Sequence, residues 1–424
     1  MALYRCPNFI ELVRFIVSRL KSWLSKEDKS IQSAEQKSRR PAADGDAKSG
    51  LKSAGVIETE TNFYRYLVSK ASLLPQADDF DSEIPDNRIL LDVELAPALA
   101  RQATKQENKE LFNALKAQLF QDVESRVENR LMAIDDETYH RFSISPYLMD
   151  AVNIVNTKAA SISRIKPLAL KHAGLVQNLV GVMNRFGLVK KSDDKPLEPK
   201  DAELCLGFLG IEKIRVFLPY LIVHESLKDA GAKFHQTSRK IWNHVQITAQ
   251  AASALASLED GLDPDEVYML ALFHEMGAAM LLHIVDECFY ETRRELSRDA
   301  AESGASEVSH KLAEITSAVP VLDRLMPMKA KALSAEIAAR YKLNFFRLAP
   351  TLEDLSQSMS IDEMGPAARV IAQGRSYAVF KQMYKEELID KVQATALLNY
   401  YQIDTDKIKL LNKQKYLKVP KVEP

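Results

Sequence analysis

Apolar side chains recur at helical spacing along most of this chain, and no segment shows convincing alternation of apolar and polar residues, as a half-buried strand would. The longest repeat places Leu111, Leu115, Leu119, Val123 and Val127 four residues apart. This repeat predicts a long amphipathic helix that must pack its apolar stripe against another surface. The pattern as a whole therefore predicts an all-α protein.

The first amphipathic segment is residues 9–24, where Ile10 and Val17 lie on an apolar side and basic or polar residues lie opposite. A basic amphipathic helix with Trp23 near its end can lie on an anionic membrane surface, and it can equally dock on a protein. We favour docking, because such helices are common on the surfaces of soluble proteins. We assign residues 1–24 to an N-terminal helix and leave peripheral membrane contact through residues 9–24 as an alternative.

The segment that follows is poor in large apolar side chains and rich in Ser, Lys, Ala, Asp and Gly. Such a composition cannot offset the entropy lost on ordering, so we predict a flexible linker over residues 25–60. Helical patterning then resumes. We divide the rest into a helical extension over residues 61–142, a main domain over residues 143–340 and a C-terminal helical region over residues 341–424.

Composition excludes some classes of function. The 57 Lys and Arg residues nearly balance the 58 Asp and Glu residues, so the net charge indicates no nucleic-acid partner. The cysteines Cys6, Cys205 and Cys288 lack the spacing of metal ligands and are typical of reduced thiols in a cytoplasmic protein. No apolar run reaches the ~20 residues of a membrane-spanning helix. We therefore expect a cytoplasmic protein, with membrane contact at most peripheral.

The residues with the most chemical content lie in two short phrases, residues 242–244 (WNH) and residues 273–277 (FHEMG). A strong helix start precedes the second phrase, because residues 263–266 (DPDE) combine an N-cap aspartate, a proline at the first helical position and a glutamate three residues after the cap. A helix from there through residue 281 would place His274 on its apolar face. We therefore expect the His274 imidazole to lie in the core, neutral and hydrogen-bonded.

Four further phrases precede these two in the chain. They are residues 144–146 (ISP), 160–165 (ASISRI), 175–184 (LVQNLVGVMN) and 208–215 (FLGIEKIR). In this order the six phrases resemble the HDOD family, relatives of the HD-type metal-dependent phosphohydrolases found in bacterial signalling proteins. The resemblance implies an all-α, multi-helix HD-like bundle, here with helical N- and C-terminal flanks, and a role in signal transduction.

The resemblance also implies where a metal site would be. HD-type hydrolases hold their cations with two histidines, an adjacent aspartate and a later aspartate, and the cation lowers the pKa of a bound water. Here His244 and His274 are present, Glu275 replaces the adjacent aspartate, and only Asp323 and Asp354 are available for the last ligand. Neither lies in a matching phrase. A three-ligand remnant should bind a divalent ion poorly, so we expect no catalytic residue, no cofactor and no metal, with the first three residues as vestigial ligand candidates.

The sequence therefore favours a non-catalytic regulatory protein whose HDOD-like domain binds a partner protein or a small ligand. The alternative is a divergent metal-dependent phosphohydrolase that uses His244, His274 and Glu275 around a divalent ion. The two readings predict the same fold, and they differ in whether the three side chains still hold a metal.

Overall fold

The computed structural model describes residues 52–73, 92–133, 139, 144–186, 197–230, 234–357, 360–414 and 416. All regular structure in these residues is helical and none of it is strand, which confirms the predicted all-α class. The predicted N-terminal helix over residues 1–24, its membrane contact through residues 9–24 and most of the predicted linker lie outside the described residues.

The helices of the described residues are numbered in chain order. The first eight are α1 (Ala54–Val68), α2 (Asp92–Met132), α3 (Pro146–Val155), α4 (Ile162–Ala169), α5 (Ala173–Phe186), α6 (Ala202–Ala230), α7 (His235–Ala256) and α8 (Pro264–Leu272). They are followed by α9 (Met276–Glu302), α10 (Ser306–Glu314), α11 (Val319–Arg340), α12 (Leu348–Ser356), α13 (Pro366–Lys385), α14 (Lys391–Tyr400) and α15 (Thr405–Asn412). Short 3-10 turns occupy Lys70–Leu73 and Pro199–Asp201.

These helices form two compact units. The described part of the smaller unit comprises residues 92–130 and 287–318, which are most of α2, the second half of α9, and α10. The long helix predicted from the four-residue repeat is confirmed as α2. Within this unit Arg130 of α2 pairs with Glu287 of α9 at 2.6 Å and with Glu291 at 2.8 Å.

The larger unit contains the remaining described residues, and its centre is α7. This helix packs against α1, α6, α8, α13 and α15. Its closest neighbour is α13, because Gly374 brings the two backbones together: a Cβ at Gly374 would lie 2.7 Å from Ala252 N and 2.9 Å from Thr248 O. The two phrases singled out in the sequence both lie in this unit.

The predicted linker is wrong at its C-terminal end, because residues 54–60 belong to α1. Ser53 is the N-cap of this helix, and its hydroxyl accepts a hydrogen bond from Val56 N at 3.4 Å. Val56, Phe63 and Leu67 lie at helical spacing and are almost fully buried. The burial of this stripe holds residues 54–60 in the helix despite their polar composition.

The helix predicted from residue 263 through residue 281 is also wrong in one respect. Asp263 caps α8 as predicted, accepting a hydrogen bond from Asp265 N at 2.9 Å, but α8 ends at Leu272. A tight turn follows, in which backbone bonds span three residues, and α9 begins at Met276. The turn places His274 and Glu275 at the junction of two helices rather than along one face.

One stretch of the described residues is apolar and long enough to cross a membrane by composition alone. It lies within residues 264–302, and 94% of its apolar window is buried inside the protein. Such burial is typical of a core helix.

Candidate functional site

The three vestigial candidates lie together in the core. His244 comes from α7, and His274 and Glu275 come from the turn between α8 and α9. One ligand atom from each lies within 4.8 Å of the others, and all three residues are at least 95% buried. Packing between α7 and α8 brings the two sequence phrases into one site.

Each histidine is oriented by a hydrogen bond at Nδ1. His274 Nδ1 donates to Ala271 O at 2.6 Å, and His244 Nδ1 donates to the side-chain oxygen of Gln382 on α13 at 3.1 Å. Burial lowers the pKa of His274 to about 4 and holds the pKa of His244 well below its ordinary value. Both rings are therefore neutral at pH 7, and each keeps its lone pair at Nε2.

Both Nε2 atoms face the same carboxylate oxygen. His244 Nε2 lies 3.7 Å and His274 Nε2 lies 3.6 Å from Glu275 Oε1. At these distances neither pair is a hydrogen bond. Neither Nε2 atom has a hydrogen-bond partner among the described residues.

Two other groups already contact that carboxylate. Tyr64 of α1 donates its hydroxyl to Glu275, at 3.3 Å from Oε1 and 3.4 Å from Oε2. Arg375 of α13 places its Nε 3.5 Å from Oε1, and its guanidinium lies 5.2 Å from the centre of the Tyr64 ring. Glu275 therefore has both an ion-pair partner, Arg375, and a hydroxyl donor, Tyr64.

A second buried carboxylate, Glu60, enters the same cluster from α1. Its side chain lies 2.8 Å from Lys52 Nζ, 3.4 Å from Lys331 Nζ and 3.7 Å from an Arg375 guanidinium nitrogen. The Tyr401 hydroxyl also donates to it. Burial alone would raise the pKa of Glu60, but the three cations outweigh it and hold the pKa well below its usual range. Glu60 is therefore ionised at neutral pH.

The cluster carries more positive than negative charge. Its cations are Lys52, Lys331 and Arg375, and its carboxylates are Glu60 and Glu275. With both histidines neutral, one positive charge is in excess. Burial lowers the pKa of Lys331 to about 8, and the ion pair with Glu60 limits that fall.

A cavity of about 30 Å³ adjoins the cluster, large enough for one or two water molecules. Its polar lining comes from Lys52, His274, Glu275, Lys331, Arg375 and Tyr401, together with Ser334 and Ser356. Arg375 Nη2 is buried and has no hydrogen-bond partner among the described residues. Side chains on or next to the C-terminal helices α12, α13 and α14 line this cavity.

The two aspartates considered for a fourth ligand lie elsewhere. Asp323 lies 3.8 Å from Arg65 Nε, and Asp354 accepts a hydrogen bond from Gly365 N at 2.9 Å. Among the described residues the group that could hold an ion contains only His244, His274 and Glu275.

These three residues do not fit a catalytic divalent ion. Their orientation by Nδ1 hydrogen bonds suits metal ligation. However, Arg375 and Tyr64 already use the oxygens of Glu275, and a catalytic metal also needs an open position for water and substrate. The excess charge next to the site is positive, which opposes a further cation.

Several residues of the cluster were not identified from the sequence. For two of them, Glu60 and Arg375, the sequence pattern does indicate an unusual position. Glu60 lies between Val56 and Tyr64 on the apolar face of α1, and Arg375 lies between Ile371 and Val379 on a helix that is buried along most of its length. A charged residue in the middle of an apolar face must be paired when it is buried. That rule indicates both positions, although it cannot identify their partners.

A family model matches part of this chain. The model of the HDOD domain matches residues 200–319, which lie within the predicted main domain. One similar solved structure is an HDOD domain protein of unknown function from Geobacter sulfurreducens, with 16% identity and a TM-score of 0.40, covering 69% of this chain and 94% of that one. Another, from Shewanella amazonensis SB2B, is described as a "putative metal-dependent phosphohydrolase", with 12% identity and a TM-score of 0.36, covering 68% and 99%. No curated protein matches the chain.

The matched residues include the helix that carries His244 and the turn that carries His274 and Glu275. The family resemblance that rested on six short phrases is thereby confirmed. The chain therefore contains an HDOD domain over residues 200–319.

Proposed function

We propose that this chain is a non-catalytic regulatory protein whose HDOD domain binds a partner protein or a small ligand. The observation that carries the proposal is the position of Arg375, whose guanidinium contacts the same Glu275 oxygen that both histidine Nε2 atoms face. In an HD-type hydrolase the carboxylate at this position ligates a metal cation. Here the Arg375 guanidinium is the cation that pairs with the carboxylate.

Electrostatics supports this reading. A divalent ion roughly 5 Å from a guanidinium would be repelled by about 7 kcal/mol at an effective dielectric constant near 20. Lys331 adds a second positive charge on the cavity side. Three neutral or singly charged ligands offer little to offset that repulsion, so the site should bind metal weakly.

The closure of the site also supports a binding role over hydrolysis. α1 packs against α7, α11, α13 and α14, so it places Glu60 and Tyr64 over the cluster. Tyr401 and Arg375, both from the region after residue 340, complete the cover. A substrate phosphoester would have to displace these side chains before it could reach the histidines.

The second candidate is a divergent metal-dependent phosphohydrolase that uses His244, His274 and Glu275. The observation that favours it is the pair of unpartnered Nε2 atoms that face one carboxylate. A metal would satisfy both atoms, and so would a water molecule in the adjoining cavity, which His274 lines.

Metal content separates the two candidates. The full-length chain is expressed with Mn, Fe, Mg and Zn supplied, purified by gel filtration and subjected to elemental analysis, and the same preparation is assayed on a generic phosphodiester. We expect metal far below one equivalent and no turnover. Near-stoichiometric metal that is lost in both His244→Ala and Glu275→Gln, together with turnover, would establish the hydrolase instead.

A further inference from the structure

The excess positive charge in the buried cluster calls for an anion. Lys52, Lys331 and Arg375 surround the carboxylate of Glu60, and Arg375 is also shared with Glu275. Arg375 is buried, whereas Lys52 and Lys331 are only partly buried, and a cation that is largely removed from water is disfavoured without a counter-charge. One further negative charge would complete the cluster.

The structure also contains an unused donor for such an anion. Arg375 is 94% buried, and its Nη2 has no hydrogen-bond partner among the described residues. Arg375 lines the 30 Å³ cavity together with Lys52, Lys331 and Tyr401. The four donor groups that contact the Glu60 carboxylate therefore also line this partly open cavity.

Glu60 itself has the contacts of a bound anion. Its carboxylate forms ion pairs with Lys52, Lys331 and Arg375 and accepts a hydrogen bond from the Tyr401 hydroxyl. All four partners lie outside α1. A phosphate oxyanion offers these donors the same kind of charged acceptor oxygens.

We propose that Lys52, Lys331 and Arg375 form a binding site for a phosphate group, free or on a small phosphorylated ligand, and that Glu60 occupies this site in the ligand-free protein. The inference rests on the proposed binding function and names its ligand class. The guanidinium fork matches phosphate through two parallel hydrogen bonds, and the lysines add point charges. The cavity provides part of the volume that a phosphate needs, and movement of the Glu60 carboxylate would provide the rest.

Ligand binding at this site would act on α1. Glu60 holds α1 to α11, α13 and the residue after α14 through its partners Lys331, Arg375 and Tyr401. A phosphate that takes over these partners removes that attachment. The ligand would thus loosen α1 and couple the HDOD domain to the residues that precede this helix.

The first test is thermal denaturation of the full-length chain in increasing inorganic phosphate, with EDTA present and ionic strength balanced by sodium chloride. Glu60→Gln removes the competing carboxylate while keeping its size. We expect the midpoint of this variant to rise with phosphate. Its apparent Kd for phosphate should be at most about one tenth of the wild-type value, since a buried charge contact contributes at least a factor of about ten. An equal response in the two proteins would overturn the proposal.

Two variants control for nonspecific binding to exposed cations. Glu291→Gln removes one of the two carboxylate partners of Arg126 and of Arg130, outside the proposed site, and its phosphate response should equal that of wild type. Arg375→Lys in the Glu60→Gln background keeps the charge but loses the fork, and it should weaken phosphate binding about tenfold. A phosphate response that Glu291→Gln reproduces, or that survives Arg375→Lys unchanged, contradicts the assigned site.

A second measurement needs no variant. Amide hydrogen exchange of the wild-type chain is compared in saturating phosphate and in matched chloride. Exchange in α1 (Ala54–Val68) should be faster in phosphate, because Glu60 no longer holds the helix, whereas exchange in α7 should be unchanged. Unchanged exchange in α1 at saturating phosphate overturns the proposal even if Glu60→Gln does not fold.

The outcomes also separate this inference from the proposed function. A phosphate response that persists in EDTA and depends on Arg375 supports the site, whatever the metal analysis gives. If the protein is metal-free and inactive and its denaturation midpoint does not respond to phosphate, the phosphate site is overturned. The proposed regulatory function then stands with another ligand. A response that EDTA abolishes would assign phosphate to a metal centre and overturn both.

Discussion

Arg375 Nε lies 3.5 Å from Glu275 Oε1, and this ion pair joins α13 to the turn that carries the family's histidine motif. Both partners are at least 94% buried. Glu275, the carboxylate of the histidine motif, is thus paired with Arg375, which lies on a helix outside the matched residues 200–319. The histidines remain in place around it, each fixed by its own Nδ1 hydrogen bond.

Removal of the guanidinium should be severe, because it leaves two buried carboxylates less well compensated. We expect Arg375→Gln to lower the free energy of unfolding by about 3–5 kcal/mol. The measurement is urea denaturation at neutral pH. Arg298→Gln is the control, since its partners Asp299 and Glu302 are exposed and its loss should be below about 0.5 kcal/mol. A loss under about 1 kcal/mol for Arg375→Gln would show that the pair does not stabilise the site.

His274 should matter for folding with or without metal. Replacement by Ala creates a cavity in the core and removes the side-chain hydrogen bond to the Ala271 carbonyl, so we expect a loss of about 1–3 kcal/mol. Denaturation midpoints of His274→Ala and of the exposed-site control His310→Ala give the comparison. If the two variants melt together, His274 has no structural role and its retention needs a different explanation.

Much of this fold follows from local pattern. The helical periods identify the class, and the cap at Asp263 and the proline after it locate the start of α8. Both depend on residues close together in the chain, where spacing alone carries the information. The burial of His274 was predicted for the same reason, although its exact place was not, because the turn after Leu272 depends on packing at the start of α9.

The charged cluster could not be predicted in the same way. Glu60 and Arg375 are separated by more than three hundred residues, and nothing in local periodicity says which buried charge meets which. Glu60 also lay in a stretch of polar composition that predicts a linker. The helix there is stabilised by tertiary burial of Phe63 and Leu67, which composition does not measure.

Gly277, the last residue of the histidine motif phrase, should be needed for close packing. A Cβ at this position would lie 2.1 Å from Ala330 O and 2.6 Å from Ser334 N, and Gly277 N donates to the Ser334 hydroxyl at 2.9 Å. Because α9 would have to move away from α11, we expect Gly277→Ala to cost about 1–3 kcal/mol or more.

The matched control is Gly181→Ala, at an exposed helical position of α5 where an added Cβ meets no atom within 4 Å. Helix propensity predicts that this variant gains about 0.5–1 kcal/mol. The two urea midpoints should therefore move in opposite directions. Parallel shifts would mean that the approach of α9 to α11 is looser than the distances indicate.

Acid should weaken the protein through Glu60. The pKa of Glu60 is held well below the ordinary 4.5 in the folded state, so its contribution is fully present above pH 4.5 and is lost as the pH falls below that value. Glu60→Gln lacks this proton linkage, whereas the buried histidines affect both proteins alike. The difference in unfolding free energy between wild type and Glu60→Gln should therefore shrink by up to about 1.4 kcal/mol per pH unit as the pH falls below about 4.5. Urea denaturation of both proteins across this range measures the difference. A difference that stays constant into the acid range would mean that Glu60 is not held ionised by Lys52, Lys331 and Arg375.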